Sequence, residues 1–208
     1  MRFTFIINFK TYKQGKDVLK LAKVVEGIDK NIIVGVQATD VKTVSDKTKL
    51  KVYVQHVDYF KPGRDTGFIL PEAVKADGAA GTFLNHSEHQ ISFRVLKKTM
   101  KRCRAIGLKT AVFASSLKEM KKIEKLNPSY LIFEPSELVA GKVSVSSAKP
   151  EIIKKISKSI KMKFLVGAGI HSRKDVEVAL KLGASGIAVA SSITKSKNPA
   201  REIRKLLG

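Results

Sequence analysis

Three short segments far apart in the chain, Asn8-Phe9-Lys10, Asn85-His86-Ser87-Glu88 and Phe133-Glu134-Pro135, each place polar or titratable residues directly after an apolar, β-type run. An amide, an ammonium, an imidazole and a carboxylate at the exits of separate strands can bind an anion and move a proton, and a core has no use for them. The chain therefore reads as an enzyme. Two later segments, Val166-Gly167-Ala168-Gly169-Ile170 and Val189-Ala190-Ser191-Ser192, expose backbone amides between small side chains. Gly169 allows close backbone approach, and a short turn of helix after Ala190 would point free N–H groups at a phosphate. Singly, each feature has a plainer reading: a tight turn, a solvated strand-end glutamate, a hydrogen-bonded loop histidine. Together, with Lys10 opposite, they are harder to explain as structure.

The elements that must position these groups are short β-branched runs alternating with amphipathic stretches. Candidate strands are Phe3 to Phe9, Ile32 to Gln37, Lys51 to Gln55, Ala79 to Leu84, Lys109 to Ala114, Tyr130 to Glu134, Phe164 to Gly167 and Gly186 to Ala190. Helical patterns such as Val18-Leu19-Leu21-Ala22-Val25 and Val176-Val178-Ala179-Leu182 separate them, and Gly107 and Gly183 close two. Such an α/β alternation predicts a parallel sheet, and eight repeats favour a compact (β/α)8 barrel over an open doubly wound sheet. An open sheet would carry a glycine-rich turn after its first strand, whereas no glycine occurs here before Gly15. For a barrel, 208 residues is short, so trimmed helices and a reduced helix between strands two and three are expected. Active-site groups of barrels come from the C-terminal ends of several strands, with phosphates held after strands seven and eight, which is where the segments above fall.

No linker divides the chain, so one domain over residues 1–208 is expected. The apolar fraction is 43%, and no apolar run approaches the ~20 residues of a membrane span. A strand-like run beginning at Phe3 leaves no room for a signal sequence, and the lone Cys103 excludes an internal disulfide framework, so the expected compartment is the cytoplasm. Lys and Arg number 40 against 18 Asp and Glu, a formal net charge of +22. The lysines recur on nearly every helical pattern and make no single tract, with few aromatics between them to stack bases. They read as a basic surface that steers anionic metabolites.

The segments Asn8-Phe9-Lys10-Thr11-Tyr12, Gln55-His56-Val57-Asp58, Leu84-Asn85-His86-Ser87-Glu88, Glu134-Pro135-Ser136-Glu137-Leu138, Gly167-Ala168-Gly169-Ile170 and Val189-Ala190-Ser191 occur in this order from end to end. In them the chain resembles the triosephosphate isomerase family, in the compact form found in archaea. The resemblance implies interconversion of D-glyceraldehyde 3-phosphate and dihydroxyacetone phosphate through an enediolate, in glycolysis and gluconeogenesis, with no metal or organic cofactor. It makes Glu134 the base, His86 a neutral electrophile held at a helix N-terminus, and Lys10 the positive charge that holds the phosphate and offsets the enediolate. Asn8 and Phe9 join Lys10 in binding substrate, and Glu88 positions the lysine. Amides of Gly169, Ala190, Ser191 and Val139 or Ala140 would cradle the phosphate, and Pro135 to Val143 would form a lid.

The resemblance also makes the loop Phe60 to Leu70 one that reaches into a neighbouring subunit, hence a homodimer or homotetramer. Archaeal relatives often form tetramers through helices four and five, and Phe93 to Cys103 is here rich in Lys and Arg. At the lid, Ser136, Ala140, Gly141 and Lys142 stand where archaeal members commonly read Pro, Gly, Thr and Gly. Ser192 replaces a usual glycine, and Phe113 a usual cysteine. Two other functions stay open at this point: a different phosphosugar isomerase or lyase on the same barrel, or a basic nucleic-acid-binding protein that reuses the scaffold.

Overall fold

A computed structural model describes residues 3–135 and 150–208. Its strands are β1 (Thr4–Asn8), β2 (Ile33–Val36), β3 (Lys51–Val54), β4 (Gly81–Leu84), β5 (Lys109–Ala114), β6 (Tyr130–Phe133), β7 (Phe164–Val166) and β8 (Gly186–Val189). Each pairs in parallel with the next, and β8 returns to β1 with Thr4 opposite Gly186 and Ile7 opposite Val189, so the sheet closes into the expected (β/α)8 barrel. Most strands stop a residue short of the sequence-based ends because ladder pairing ceases there. Single bonds continue past it, from Phe9 N–H to the Gly35 carbonyl and from Glu134 N–H to that of Ala114.

Outside the barrel lie α1 (Lys16–Glu26), α2 (Val41–Lys47), α3 (Pro71–Ala76), α4 (Phe93–Ala105), α5 (Leu117–Glu124), α6 (Pro150–Ser159), α7 (Arg173–Lys181), α8 (Ser191–Thr194) and α9 (Pro199–Leu207). The reduction between β2 and β3 is present: a 3-10 turn, Ala38–Asp40, leads into the seven residues of α2. Side-chain caps set several starts. Ser92 accepts from Val95 N–H and Ser116 from Glu119 N–H, and a reciprocal pair joins Ser172 and Asp175 ahead of α7. Each long helix turns one stripe inward, as α4 does with Leu96, Thr99, Met100 and Cys103.

Period-two alternation in the strands divides the apolar residues into two cores. Outward-pointing side chains such as Ile7, Val34, Val54 and Leu131 meet the helices, while Ile6, Ile33, Tyr53, Phe83, Ala111, Phe113, Ile132, Leu165 and Ala188 fill the barrel. Two close approaches make room for the large rings. A Cβ at Gly35 would lie 2.0 Å from the Phe83 ring, and one at Gly81 2.4 Å from that of Tyr53. Desolvation inside this packed interior pushes the Tyr53 phenol above its ordinary range, with the nearby Tyr130 adding to the effect.

Candidate active site

The inward phase of the barrel generates the site. Two residues beyond Ile6, Ile132, Leu165 and Ala188, all in the barrel interior, the same alternation reaches Asn8, Glu134, Gly167 and Ala190 at the C-terminal rim. Asn8, Lys10, His86, Phe113, Glu134, Gly169, Ala190 and Ser191 line a pocket of about 500 Å³ at this mouth. Ser192, Ile170 and His171 also line it. A wider cavity of about 990 Å³ adjoins it, sharing Asn8, Lys10 and His86 and bounded by Gln55, Glu88 and the stacked rings of His56 and His89.

Lys10 is held in an unusual backbone state. Its φ of 48° lies in the left-handed region, which costs a residue with a Cβ about 1–3 kcal/mol. Two hydrogen bonds offset that cost: Lys10 N–H donates to Asn8 Oδ1 at 3.0 Å, and Gln55 Nε2 donates to the Lys10 carbonyl at 2.9 Å. At about 0.5–1.5 kcal/mol net apiece they roughly balance the strain. The ammonium is mostly buried and meets Glu88 Oε1 at 2.7 Å. Asn8 Oδ1 also accepts from Gln55 at 3.3 Å, so the amide oxygen is occupied while its Nδ2 donates to nothing among the described residues.

His86 reaches the mouth because the alternation breaks one residue earlier. Asn85 adopts φ 59°, which asparagine tolerates, and its amide donates to the Phe113 carbonyl at 3.0 Å and to Glu119 Oε1 at 2.8 Å. Glu119 in turn accepts from Ser115 N–H at 2.8 Å, so the loop carrying His86 is tied to the start of α5. The expected helix N-terminus at His86 is absent: residues 86–89 form one turn closed by His89 N–H on the His86 carbonyl, and α4 begins only at Phe93, after its Ser92 cap. The turn serves the histidine differently. Glu88 N–H donates to His86 Nδ1 at 3.1 Å, which leaves Nδ1 as acceptor and puts the proton of the neutral ring on Nε2. The Phe113 ring packs edge-on against the imidazole, with centroids 4.9 Å apart.

Glu134 faces that Nε2. Its Oε2 lies 3.0 Å away, but the angles are not those of a hydrogen bond, and this buried oxygen has no other partner among the described residues. The opposite oxygen, Oε1, rests over Gly167, where a Cβ would come within 2.9 Å. A buried polar group left without a hydrogen bond calls for an explanation, which a functional position supplies. At the other end of the pocket, Ala168 and Gly169 both have positive φ, 72° and 66°. The first N–H groups of α8, which starts directly after Ala190, have no partner within the helix.

Phe9 is placed differently from Asn8 and Lys10 beside it. Its ring points out of the barrel into the core under the helices and does not line the pocket. Pro135 follows Glu134 and is buried. The lid residues Ser136, Ala140, Gly141 and Lys142, and the phosphate contact at Val139, lie outside the described residues. Gln55, Glu119 and Gly167 hold the site's side chains in place without having been singled out for that. Gln55 sat in a recognisable motif with no role attached, and Glu119 had a signal, an acid three residues after the capping Ser116.

A carboxylate, an imidazole with a fixed tautomer, an ammonium and an amide-rich anion end can take a proton from carbon next to a carbonyl of a phosphorylated substrate. Comparison with known proteins bears on the same point. The triosephosphate isomerase family profile matches residues 3–122, more than half of the chain. Triosephosphate isomerase of Methanocaldococcus jannaschii is 36% identical over 213 residues, 97% of this chain and 97% of that one. The chain belongs to the triosephosphate isomerase family. The family's enzyme from Saccharolobus solfataricus is 39% identical over 97% of this chain and 93% of its own, and that from Thermoplasma volcanium 36% identical over 99% of both. A second profile, described as histidine biosynthesis protein, matches residues 138–208, the part that carries β7, β8 and the amide-rich rim. Among the described residues no group of three His, Cys, Asp or Glu could hold a metal, and no helix is long and apolar enough to cross a membrane.

Proposed function

We propose that the chain is a triosephosphate isomerase in which Glu134, His86 and Lys10 carry the reaction. The observation that carries this assignment is the unpaired Glu134 Oε2, buried and 3.0 Å from an imidazole nitrogen that bears the proton. Glu134 takes a proton from the carbon beside the carbonyl of D-glyceraldehyde 3-phosphate or dihydroxyacetone phosphate and returns it to the neighbouring carbon. His86 donates from Nε2 to the oxygen on which charge develops, and Lys10 offsets the charge of the enediolate. Asn8, through its unoccupied Nδ2, is a donor to a substrate oxygen, and Glu88 positions the ammonium. The amides of Gly169, Ala190 and Ser191 hold the phosphate, aided by their place at the rim of β7 and β8. Conversion of glyceraldehyde 3-phosphate in a coupled assay tests the reading, with Glu134→Gln as the variant. Turnover cut about 10³-fold or more in a folded variant is expected, and a variant that keeps near-normal kcat would remove Glu134 from the role of base.

The assembly proposed with this activity is a homodimer in the cytoplasm. The loop between β3 and α3 projects from the barrel with residues 61–68 exposed, closed on itself by the Phe60 and Phe68 rings with centroids 4.1 Å apart. Its ordered shape and the bare Phe68 suit insertion into a second copy beside the cavity of Lys10 and Glu88. A tetramer through α4 is disfavoured, because a two-fold contact would face the helix's exposed cations with their own kind.

A further inference from the structure

The charge is not spread as the sequence pattern suggests. Residues 93–125 and 150–163 contain sixteen Lys and Arg against three Glu, a net +13 of the whole chain's +22 in under a quarter of its length. These stretches build α4, α5 and α6, three successive helices of the outer ring. Hydrogen bonds join them at one end: Arg104 donates to the Leu126 carbonyl at 2.5 Å, and Glu124 accepts from Lys161 N–H at 2.6 Å. On α4, Arg94, Lys97, Lys101 and Arg104 recur at spacings of three and four along the exposed side. Lys118, Lys121, Lys122 and Lys125 repeat the stripe on and just after α5.

On other helices acids pair with cations of the same helix. Asp17 pairs with Lys20 on α1, Asp46 with Lys42 on α2, Glu177 with Arg173 on α7 and Glu202 with Lys205 on α9. On the cationic face, Glu119 is turned inward to Asn85 and Ser115 and Glu124 to backbone amides, so that among the described residues acids answer only Lys154, through Glu151, and Arg102, through Glu72 of α3. A face with this much uncompensated charge repels itself and attracts a polyanion.

We infer that the α4–α5–α6 face binds the phosphate backbone of double-stranded nucleic acid without reading its sequence. The thirteen residues of α4 extend about 20 Å, along which a duplex presents about 12 phosphates. The only large apolar side chain exposed on the three helices is Phe93, so the face has neither an apolar stripe to enter a lipid surface nor aromatic platforms to stack unpaired bases. Its cations lie on the flank of the barrel and line neither cavity at the mouth.

The test is binding of a mixed-sequence DNA duplex of about 20 base pairs, followed by fluorescence anisotropy over a salt series. One variant carries Lys97→Gln, Lys101→Gln, Lys121→Gln and Lys122→Gln; a control with the same loss of charge carries Lys16→Gln, Lys23→Gln, Lys30→Gln and Lys47→Gln on the α1–α2 side. The face variant should bind at least about tenfold more weakly near 0.1 M salt, with a log–log salt slope shallower by about 3 to 4, whereas the control should stay within about threefold of wild type. Isomerase turnover should be unchanged in both, which also reports folding. Equal weakening in the two variants would assign binding to net charge and overturn the face, as would no binding by wild type at about 50 mM salt. Preferential binding to phosphatidylserine vesicles, lost in the face variant, would replace nucleic acid by a membrane surface.

Discussion

Gly167→Ala isolates the seating of the base from everything else. A Cβ at this position would stand 2.9 Å from Glu134 Oε1 and 3.3 Å from its Cγ and Cδ, with no backbone atom among its three nearest neighbours. Ordinary contact begins at 3.4 Å, so the carboxylate must retreat by at least about 0.5 Å, and a shift approaching 1 Å in a reacting group can cost about 10²-fold in rate. Because the clash is with the end of a flexible side chain and Gly167 is not among the residues of positive φ, the backbone tolerates alanine and the stability cost should stay below about 1 kcal/mol. The expected result is kcat lowered about 30- to 300-fold with KM changed less than about threefold, because the phosphate end is untouched. Steady-state kinetics beside a thermal melt measure both quantities. A variant with wild-type kcat would refute the placement of Glu134 over Gly167, and one that melts far below wild type would show the residue to be structural.

Gln55→Leu removes the donor that secures the Lys10 carbonyl. Since a single hydrogen bond nets about 0.5–1.5 kcal/mol, kcat/KM should fall about 3- to 10-fold, and an unchanged value would mean that the left-handed backbone of Lys10 needs no such support. Burial, and then the neighbouring His89, lower the His56 pKa below its usual value, with Asp58 opposing them. The unfolded chain therefore binds this proton first, and stability falls as pH drops below about 6.5 towards the folded-state pKa. His56→Asn should flatten that decline in urea midpoints measured between about pH 7.5 and pH 5.5, and a parallel decline in wild type and variant would point to other groups. The Cys103 thiol, buried on the inner side of α4, is pushed up to about 12, so native protein should resist a thiol reagent at neutral pH and react once unfolded. Rapid native labelling would contradict the packing of α4.

The strands were legible because each is a short β-branched run bounded by turn residues, and the barrel followed from their number and spacing. Glu134 and Asn8 were legible for a related reason, being polar residues that continue an apolar alternation by one inward step. What escaped depended on neighbours distant in sequence. Nothing local says that Gly167 makes room for Glu134, that Gln55 reaches the Lys10 carbonyl, or that Glu119 ties down Asn85 from 34 positions away. The helix N-terminus at His86 was implied by the resemblance alone, and in this chain the Ser92 cap decides where α4 begins. The enrichment of cations in residues 93–125 and 150–163 is visible in the sequence, but that α4, α5 and α6 are joined side by side and that Glu119 and Glu124 turn away from their lysines needed the fold.

Strain and order in the mouth have a common logic. Among the described residues, four without glycine's freedom have positive φ, and three of them, Lys10, Asn85 and Ala168, hold or adjoin the groups assigned to charge, electrophile and phosphate. Alternation alone would deliver only inward side chains at fixed spacing, which suffices for Glu134 but cannot aim an imidazole and a lysine at the same small volume. Turning the chain left-handed at one residue changes the direction of the next without lengthening the loop. Each such turn costs stability, and two of the three are held by side-chain bonds from another part of the barrel: Gln55 on Lys10, and Glu119 on Asn85. The positions that look least relevant to the chemistry are thus the ones that keep its geometry, and substitutions there should move kcat/KM before they move the fold.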